Sequence, residues 1–328
     1  MVTNNPKHLL VIRLSAMGDV AMTVPVLIAL TRKFPDLKIT VLTKSFYSPI
    51  VDQIPNVTVY AADVKTRHKG ILGLWRLYKE LKQHQISYVA DLHNVLRSTI
   101  LKQFFKLGGT PVVQIDKGRA EKRALMSPTD KVFKPLKTTV QRYADVFHKL
   151  GLPITLDDSC MLPKQNLSKE LKQRLAIEGE QCIGVAPFAA FKGKEYPINL
   201  MEEVLQKLNG IKNPKILLFG GGAIEKQQLK IWENQYAKCT NVAGMVSFAE
   251  ELKLISNLDL MLAMDSGNAH LAAMYGVPTI TLWGVTHPYA GFYPFGQEHN
   301  AIMSDREKFP LIPTSVYGNK FPSGYDKV

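Results

Sequence analysis

The sequence is poor in the features that mark exported, disulfide-bonded or membrane-spanning proteins. It has three cysteines, Cys160, Cys182 and Cys239, an odd number at wide spacings that fits neither a disulfide framework nor paired zinc ligands. Its longest mostly apolar run, residues 21–30, is interrupted by a threonine and a proline and is too short to cross a bilayer of about 30 Å. The N-terminal segment also lacks a basic region followed by an apolar stretch and a cleavage site. We therefore expect a cytoplasmic protein with free thiols.

Several motifs of common enzyme classes are also missing. The sequence has no Walker loop, no G-x-S-x-G nucleophile elbow and no Asp-x-Asp pair that would hold a divalent ion. P-loop hydrolysis, serine hydrolysis and metal-dependent sugar transfer therefore lose support. We expect neither a metal site nor a cofactor.

The basic charge of the chain is concentrated in one half. Residues 1–160 contain 24 Lys and Arg against 12 Asp and Glu, whereas residues 161–328 contain 17 against 16. Such an excess attracts an anionic partner, which can be a nucleic acid, an anionic membrane surface or a phosphorylated substrate. The chain has no recognisable nucleic-acid-reading motif or aromatic platform, so we expect no nucleic-acid partner, and a nucleic-acid-binding protein is the least favoured alternative.

Short apolar runs with β-branched residues alternate with segments of helical spacing, which predicts an α/β fold. In the first half the predicted strands are His8–Arg13, Ile39–Lys44, residues 57–61 and Ser87–Leu92, with one helix ending at Phe34 and another over Leu72–Gln83. A segment rich in Pro, Asp and Ser follows Leu150, and a second alternation begins after it. We predict two doubly wound, Rossmann-like domains, residues 1–160 and 161–328, the second with a C-terminal tail. The two domains are expected to face a central cleft, into which the loops after the strands project.

The first candidate loop, RLSAMGDV, follows the first predicted strand and places Asp19 near the start of a helix. Asp19 can be a helix cap, or it can be a carboxylate that faces the cleft and accepts a proton. Spacing alone does not separate the two interpretations.

The second candidate loop, MDSGNAH, lies between a predicted strand and an apolar helix. Backbone N–H groups of Ser266 and Gly267 at a helix N-terminus form a generic anion site suited to a diphosphate. His270, one turn inside the helix, can add a donor or be structural. Because a carboxylate beside a phosphate is unfavourable, Asp265 is expected to cap the helix or to bind a sugar hydroxyl.

Two further loops contain candidate ligand-binding residues. FGGGAIE contains three glycines without the dinucleotide spacing, so it is either a tight turn or a nucleotide loop in which Glu225 accepts hydrogen bonds from ribose. In FKGKEYP, Lys192 and Lys194 are either surface lysines or a source of positive charge for a leaving group.

Together these segments resemble glycosyltransferase family 9, the ADP-heptose:lipopolysaccharide heptosyltransferases of the GT-B fold. The strongest pieces are RLSAMGDVAMTVPVLIALTRKFP and DSGNAHLAAMYGVPTITLWGVTHP; weaker ones are DLHNVLRS, the Lys194–Pro197 match to K-x-[WY]-P, and AGMVSFAE. The resemblance runs from His8 to about Gly296, across both predicted domains and in the family's order.

The resemblance implies roles for individual residues. Asp19 is the expected catalytic base and Lys194 the expected diphosphate contact. Asp265, Ser266, Gly267 and His270 are similar to the family's donor-sugar and diphosphate loop. Glu225 is similar to its ribose-binding acid, and Val246 stands where a backbone contact to the nucleotide base is expected.

The activity that the resemblance implies is inverting, metal-independent transfer of a sugar, with heptose from ADP-heptose as the expected donor, to a lipopolysaccharide-core or related acceptor. The alternative is a GT-B-like sugar-nucleotide epimerase, which would bind the same donor without an acceptor. The N-terminal domain is expected to hold the acceptor and the C-terminal domain the donor.

The basic N-terminal half is expected to bind a phosphorylated, lipid-linked saccharide acceptor. Because such an acceptor lies in a membrane, we also expect peripheral association with the anionic surface of the inner membrane. The candidate acceptor-binding residues are Arg67, Arg97, Arg119, Lys122 and Arg123.

Overall fold

The computed structural model describes residues 7–212 and 214–325, which fold into two compact units. The first unit comprises Met1–Lys117 and Thr139–Leu162, and the second comprises Gly118–Thr138 and Pro163–Val328, within those limits. The main boundary therefore falls between Leu162 and Pro163, and a short excursion of the chain before Thr139 packs with the second unit.

The first unit is built on a five-stranded parallel sheet with the order β3-β2-β1-β4-β5. Its strands are β1 His8–Ile12, β2 Lys38–Thr43, β3 Val57–Ala61, β4 Tyr88–Asp91 and β5 Val112–Gln114. The helices up to residue 149 are α1 Met17–Ala21, α2 Val24–Lys33, α3 Ser48–Val51, α4 Gly70–Lys82, α5 Leu96–Leu107, α6 Arg119–Leu125 and α7 Thr139–Lys149, of which α6 belongs to the second unit. The four predicted strands match β1 to β4 to within one residue at each end.

The single helix predicted after the first loop is wrong in one respect. The chain forms two helices there, α1 and α2, separated by Met22 and Thr23. Pro25 lies in the first turn of α2, where its missing N–H is tolerated, whereas inside a continuous helix it would break the ladder of hydrogen bonds. Thr23 donates its hydroxyl to the carbonyl of Val20 (2.7 Å), which closes the end of α1.

The second unit contains a six-stranded parallel sheet with the order β11-β10-β9-β6-β7-β8. Its strands are β6 Cys182–Ala186, β7 Lys215–Leu218, β8 Cys239–Asn241, β9 Leu260–Met264, β10 Thr279–Trp283 and β11 Ala301–Met303. Its remaining helices are α8 Lys169–Arg174, α9 Ile198–Gly210, α10 Ala223–Gln235, α11 Phe248–Ile255 and α12 Gly267–Ala273. Two parallel, helix-covered sheets are the doubly wound plan that the sequence predicts.

Each unit has its own hydrophobic core. In the first unit, Ile12 and Leu42 of the sheet pack with Leu77 of α4 and Phe105 of α5. In the second unit, strands β6 and β7 pack with α9 and α10, where Trp232 is fully buried. Because all strands of a sheet run in one direction, the loops after them collect at one edge of that sheet, where open α/β folds bind ligands. No helix in the described part of the chain has the length and apolar character needed to cross a membrane.

Candidate active site

In the first unit, Asp19 lies in α1, just beyond the C-terminal end of β1. Its Oδ2 forms an ion pair with the guanidinium of Arg13 and accepts a hydrogen bond from the backbone N–H of Ala16 (3.1 Å). The carboxylate therefore braces the start of α1, as the capping interpretation requires. Both contacts engage Oδ2, and the Asp19 side chain stays 25% exposed. The second oxygen, Oδ1, takes no part in either contact and is the candidate atom to receive a proton from a ligand.

Arg13 holds this carboxylate in place because it is itself anchored. Its Nη1 donates to the carbonyl of Leu92 (2.6 Å), directly after β4, which pairs with β1. Its guanidinium lies 5.9 Å from the ring centre of buried Tyr143, whose hydroxyl donates to the carbonyl of Asp19 (3.3 Å). Burial favours loss of the charge of Arg13, but Tyr143 and Asp19 outweigh it and raise the pKa of the guanidinium. Arg13 therefore remains a fixed cation beneath the carboxylate.

In the second unit, three loops meet at Asp265. Asp265 follows β9, which lies between β6 and β10 in the sheet. One oxygen, Oδ2, forms an ion pair with Nζ of Lys194, from the loop after β6 (2.8 Å), and accepts from the hydroxyl of Thr286, after β10 (3.0 Å). The Asp265 side chain is only 6% exposed, so the pair is shielded from water. The residue at the N-cap of α12 is Ser266, so the expectation that Asp265 caps this helix is wrong.

Glycines fix the position of the Lys194 loop. The N–H of Gly193 donates to the carbonyl of Gly318 (3.1 Å), and the N–H of Val285 donates to the carbonyl of Gly193 (2.8 Å). A Cβ at Gly284 would lie 2.5 Å from the carbonyl oxygen of Gly193, and a Cβ at Gly318 would lie 2.6 Å from Cγ of Lys194. Three segments therefore approach so closely that side chains are excluded, and this contact aims Lys194 at Asp265.

The start of α12 carries the other candidate donor groups of this unit. Ser266 has a buried hydroxyl that finds no partner among the described residues, and Gly267 is the first residue of the helix. His270 is buried one turn further along. The structure thus places Ser266, Gly267 and His270 on the same short element, beside the Lys194–Asp265 pair.

The glycine-rich loop after β7 is closed by Glu225, in the first turn of α10. Its Oε2 accepts from the N–H of Gly221 (2.6 Å), which supports the tight-turn interpretation. Val246, half-buried, follows β8, the next strand of the sheet, and precedes the N-cap of α11. Gly244, two residues earlier, has a left-handed backbone, and a Cβ there would lie 2.7 Å from Nζ of Lys226. The side chain of Lys226, next to Glu225, therefore lies against the backbone of the Val246 loop, a proximity that local sequence patterns do not predict.

The basic residues proposed for the acceptor are divided between the two units. Arg67 lies in the first unit, where it forms an ion pair with Glu80 (2.5 Å), and Arg97 is exposed in the first turn of α5. Arg119, Lys122 and Arg123 are on α6, which belongs to the second unit, so their placement in the N-terminal domain is corrected. Nζ of Lys122 lies 4.0 Å from the ring centre of Phe292, a residue of that unit.

The described residues contain no group of three or more His, Cys, Asp or Glu side chains arranged to hold a metal ion. The positive charge around Asp19 and Asp265 comes instead from Arg13 and Lys194.

Comparison with known proteins identifies the family. The family model described as glycosyltransferase family 9 (heptosyltransferase) matches residues 74–315, well over half of the chain. The chain belongs to glycosyltransferase family 9. The lipopolysaccharide core heptosyltransferase OpsX of Haemophilus influenzae is 27% identical over 297 residues, which cover 88% of this chain and 82% of that protein. The protein is therefore a glycosyltransferase, as the resemblance implied.

Solved structures show the same fold. A family 9 glycosyltransferase from Veillonella parvula has a TM-score of 0.74 at 20% identity, covering 99% of this chain and 94% of its own. The heptosyltransferase WaaC of Escherichia coli, solved with ADP, has a TM-score of 0.64 at 18% identity, covering 90% of this chain and 92% of its own. The expected GT-B class, with two parallel-sheet α/β domains, is confirmed.

In this family 9 glycosyltransferase, the loop after β4 holds a residue whose role the sequence did not reveal. His93 is 8% exposed, and its Nδ1 has no hydrogen-bond partner among the described residues. Asp91 holds the loop by accepting from the backbone N–H of His93 (3.0 Å) and of Asn94 (2.8 Å). Burial, followed by the charges of Arg13 and Lys117, lowers the pKa of His93 to about 4. His93 is therefore neutral at pH 7, although DLHNVLRS gave no sign of its burial.

The buried state of His93 predicts a loss of stability in acid. Because its folded pKa of about 4 lies below the ordinary value of 6.5, the unfolded chain takes up a proton between these values that the folded chain excludes. The free energy of unfolding should fall by up to about 3 kcal/mol from this residue as the pH drops through that window. Urea unfolding of His93→Gln, measured near neutral pH and in mild acid, should show a weaker pH dependence than the wild type.

A matched control is His148→Gln, since His148 is an exposed histidine of the same unit. It should keep the wild-type pH dependence. The pKa of His287 is also lowered to about 4, by burial and by Arg306 and Lys131. His287 still contributes to the loss of stability in acid when His93 is replaced, so His93→Gln should reduce the pH dependence without removing it. Identical pH dependence in His93→Gln and the wild type would contradict the prediction.

Proposed function

We propose that this protein transfers a heptose from ADP-heptose to a phosphorylated lipopolysaccharide-core acceptor, with inversion at the anomeric carbon and without a metal ion. The observation that carries the proposal is the partly exposed Asp19 carboxylate, fixed by buried Arg13 at the end of β1 in a chain of family 9. The relatives named as lipopolysaccharide heptosyltransferases support the acceptor class.

Asp19 acts as the base in the proposed reaction. An acceptor hydroxyl oxygen forms a bond to the anomeric carbon, the bond from that carbon to the diphosphate oxygen breaks, and the hydroxyl proton passes to Asp19. Attack from the face opposite the leaving group inverts the configuration. General-base assistance of this kind typically contributes about 10² to 10⁴ in rate. Arg13 is proposed as a positioning residue, because it is buried and acts through its ion pair with Asp19.

The second unit binds the donor in the proposal. Lys194 exchanges part of its contact with Asp265 for the donor diphosphate and offsets the charge that develops on the leaving group. Ser266, Gly267 and His270 supply hydrogen-bond donors beside it. Asp265 accepts from hydroxyls of the sugar, Glu225 from the ribose, and the backbone at Val246 meets the base.

ADP is proposed as the nucleotide because E. coli WaaC, which shares the fold, has been solved with ADP and with an ADP-2-deoxy-2-fluoro heptose. The positive charge of Lys194, with the hydrogen-bond donors of His270 and of the backbone N–H groups, takes the part that a metal ion plays in other glycosyltransferases, and on this basis the transfer is proposed to be metal-independent.

The acceptor is proposed to be phosphorylated and lipid-linked, and the protein to work at the inner membrane surface. Arg97, exposed at the start of α5, is the candidate phosphate contact of the first unit. The positive charge of Arg67 is partly offset by its ion pair with Glu80, so Arg67 is proposed as a weaker contact. Arg119, Lys122 and Arg123 are proposed to bind acceptor phosphates from the second unit.

The test is incubation with ADP-heptose and a heptose-deficient core acceptor, with the acceptor mass as the readout. We expect the acceptor to gain one heptose with ADP-heptose but not with UDP- or GDP-linked sugars, and the same yield in excess EDTA. An epimerised donor with no change in acceptor mass would replace the transferase proposal by the epimerase alternative. Activity lost in EDTA and restored by magnesium or manganese would overturn metal independence alone.

A further inference from the structure

An exposed apolar surface lies where α4 and α5 of the first unit begin. Ile71 and Leu72, in the first turn of α4, are 65% and 85% exposed, and Leu96, the first residue of α5, is 77% exposed. We call Ile71, Leu72 and Leu96 the apolar rim. Singly exposed aliphatic side chains are common on protein surfaces, but here two adjacent ones and a third at the start of the neighbouring helix lie at the same end of the helix pair.

The apolar rim is held rigidly. In the loop before α4, Asp63 accepts from the backbone N–H groups of Thr66 (3.0 Å) and Arg67 (3.3 Å). His68 is buried and bonds Glu80 of α4 (3.0 Å), and a Cβ at Gly73 would lie 2.4 Å from the backbone of His68. The loop and the first turn of α4 are therefore locked together. A rigid apolar surface loses little conformational entropy when it is buried by a partner.

One turn further along α4 lies Trp75, 41% exposed, whose ring packs edge-on against Phe104 of α5. Nζ of Lys79 lies 5.6 Å from its ring centre. Tryptophan beside lysine, next to aliphatic side chains, is the combination found where proteins meet the headgroup region of a bilayer.

The surroundings of the apolar rim are basic. The stretch from Asp63 to Lys82 contains six Lys and Arg against two acids, and the acids Asp63 and Glu80 are engaged within the loop and by Arg67 and His68. The cations that lie exposed near the rim or one to two turns along α4 are Lys65, Lys69, Arg76, Lys79 and Arg97, whereas Lys82 ends α4 and lies toward the opposite edge. This charge is complementary to a surface of anionic lipids.

The rim also lies at the functional end of its sheet. α4 follows β3 and α5 follows β4, and both strands run parallel to β1, which leads to Asp19. The helix starts and the Asp19 loop are therefore at the same edge. Leu107, 87% exposed, ends α5 and so lies at the opposite edge.

We propose that the apolar rim, with Trp75 and the surrounding lysines and arginines, docks the protein on an anionic phospholipid bilayer. Ile71, Leu72 and Leu96 enter the headgroup boundary, and Lys65, Lys69 and Arg76 meet lipid phosphates. The docking is inferred from this surface alone. The purpose of the docking, which is to bring a lipid-linked acceptor to Asp19, rests on the proposed function.

The test uses the whole protein and vesicles made of equal parts phosphatidylglycerol and phosphatidylethanolamine, with phosphatidylcholine vesicles for comparison. Trp232 and Trp283 are buried, so a change in tryptophan emission on binding reports Trp75. We expect a blue shift and quenching by brominated lipids with the anionic vesicles, both absent in Trp75→Phe, and binding that weakens with salt. The double variant Ile71→Ser, Leu72→Ser should bind about tenfold more weakly or worse.

Leu107→Ser is the matched control, because it removes an equally exposed leucine of the same unit from the opposite edge. It should bind vesicles like the wild type. Equal vesicle binding by the double variant and by Leu107→Ser, or no binding by the wild type to anionic vesicles, would overturn the proposal that the apolar rim docks on a bilayer. The rim would then be assigned to contact with a protein partner. These measurements contain no donor or acceptor, so failure of the transferase assay leaves their result unaffected. Conversely, a double variant that transfers normally to a soluble, deacylated acceptor shows that only docking was lost.

Discussion

Asp19→Asn is expected to lower the rate of transfer by at least about 10²-fold while nucleotide binding is kept. Asparagine has the shape of aspartate, and its side-chain oxygen can still accept from Arg13 and from the N–H of Ala16, so the start of α1 should keep its geometry. What is lost is the basicity needed to take the hydroxyl proton. The measurement is kcat with saturating donor and acceptor, together with calorimetric titration of ADP.

The control for this variant is Asp36→Asn, which removes one exposed carboxylate charge from the same unit, at the turn after α2. It should transfer at the wild-type rate. If Asp19→Asn turns over normally, Asp19 is only the brace of α1 and the base lies elsewhere.

Lys194→Ala is expected to weaken donor binding and to slow transfer, and also to destabilise the second unit. The substitution leaves the Asp265 carboxylate, 6% exposed, without its cation. Loss of one partner of a buried ion pair typically costs about 3 to 5 kcal/mol in stability. The free energy of unfolding and the affinity for ADP, measured on the same preparation, should therefore both fall.

A second substitution separates these two effects. In Lys194→Ala combined with Asp265→Asn, the buried charge is removed, so most of the lost stability should return while transfer stays impaired. Lys192→Ala, an exposed lysine of the same loop, should behave like the wild type in both measurements. Unchanged ADP affinity and unchanged kinetics in Lys194→Ala would assign Lys194 a structural role only.

Local patterns predicted most of the fold, because β1 and the interior of β2 are buried runs rich in apolar and β-branched residues, and the edge strand β3, although partly exposed, is marked by its β-branched residues. The short edge strands β5, β8 and β11, three residues each, went unpredicted because they are too short to show a period. The grouping of α6 with the second unit was missed for another reason. It depends on contacts such as that of Lys131 with the carbonyl of Pro313 (2.8 Å), which are far apart in sequence.

In the candidate site, too, local patterns predicted single residues, but they did not predict contacts between residues far apart in sequence. Asp19 could be selected from its loop, and Arg13 stands only six residues before it, yet their ion pair depends on the anchor at Leu92, on another strand. Lys194 and Asp265 could each be selected as ligand-binding candidates, but the sequence does not say that they contact each other. Their pairing arises from the order of β6, β9 and β10 in the sheet, which is a property of the folded chain.

The close approach of Gly193, Gly284 and Gly318 restricts how this enzyme can be redesigned. Replacing residues 191–197 by the matching loop of another glycosyltransferase would bring in a backbone that must still pass within van der Waals distance of two other segments. A chimera that exchanges this loop alone is expected to displace its lysine, whatever the incoming sequence encodes. To keep the proposed donor-binding lysine in place, such a chimera must therefore exchange the strand end at Gly284 and the segment around Gly318 together with the loop.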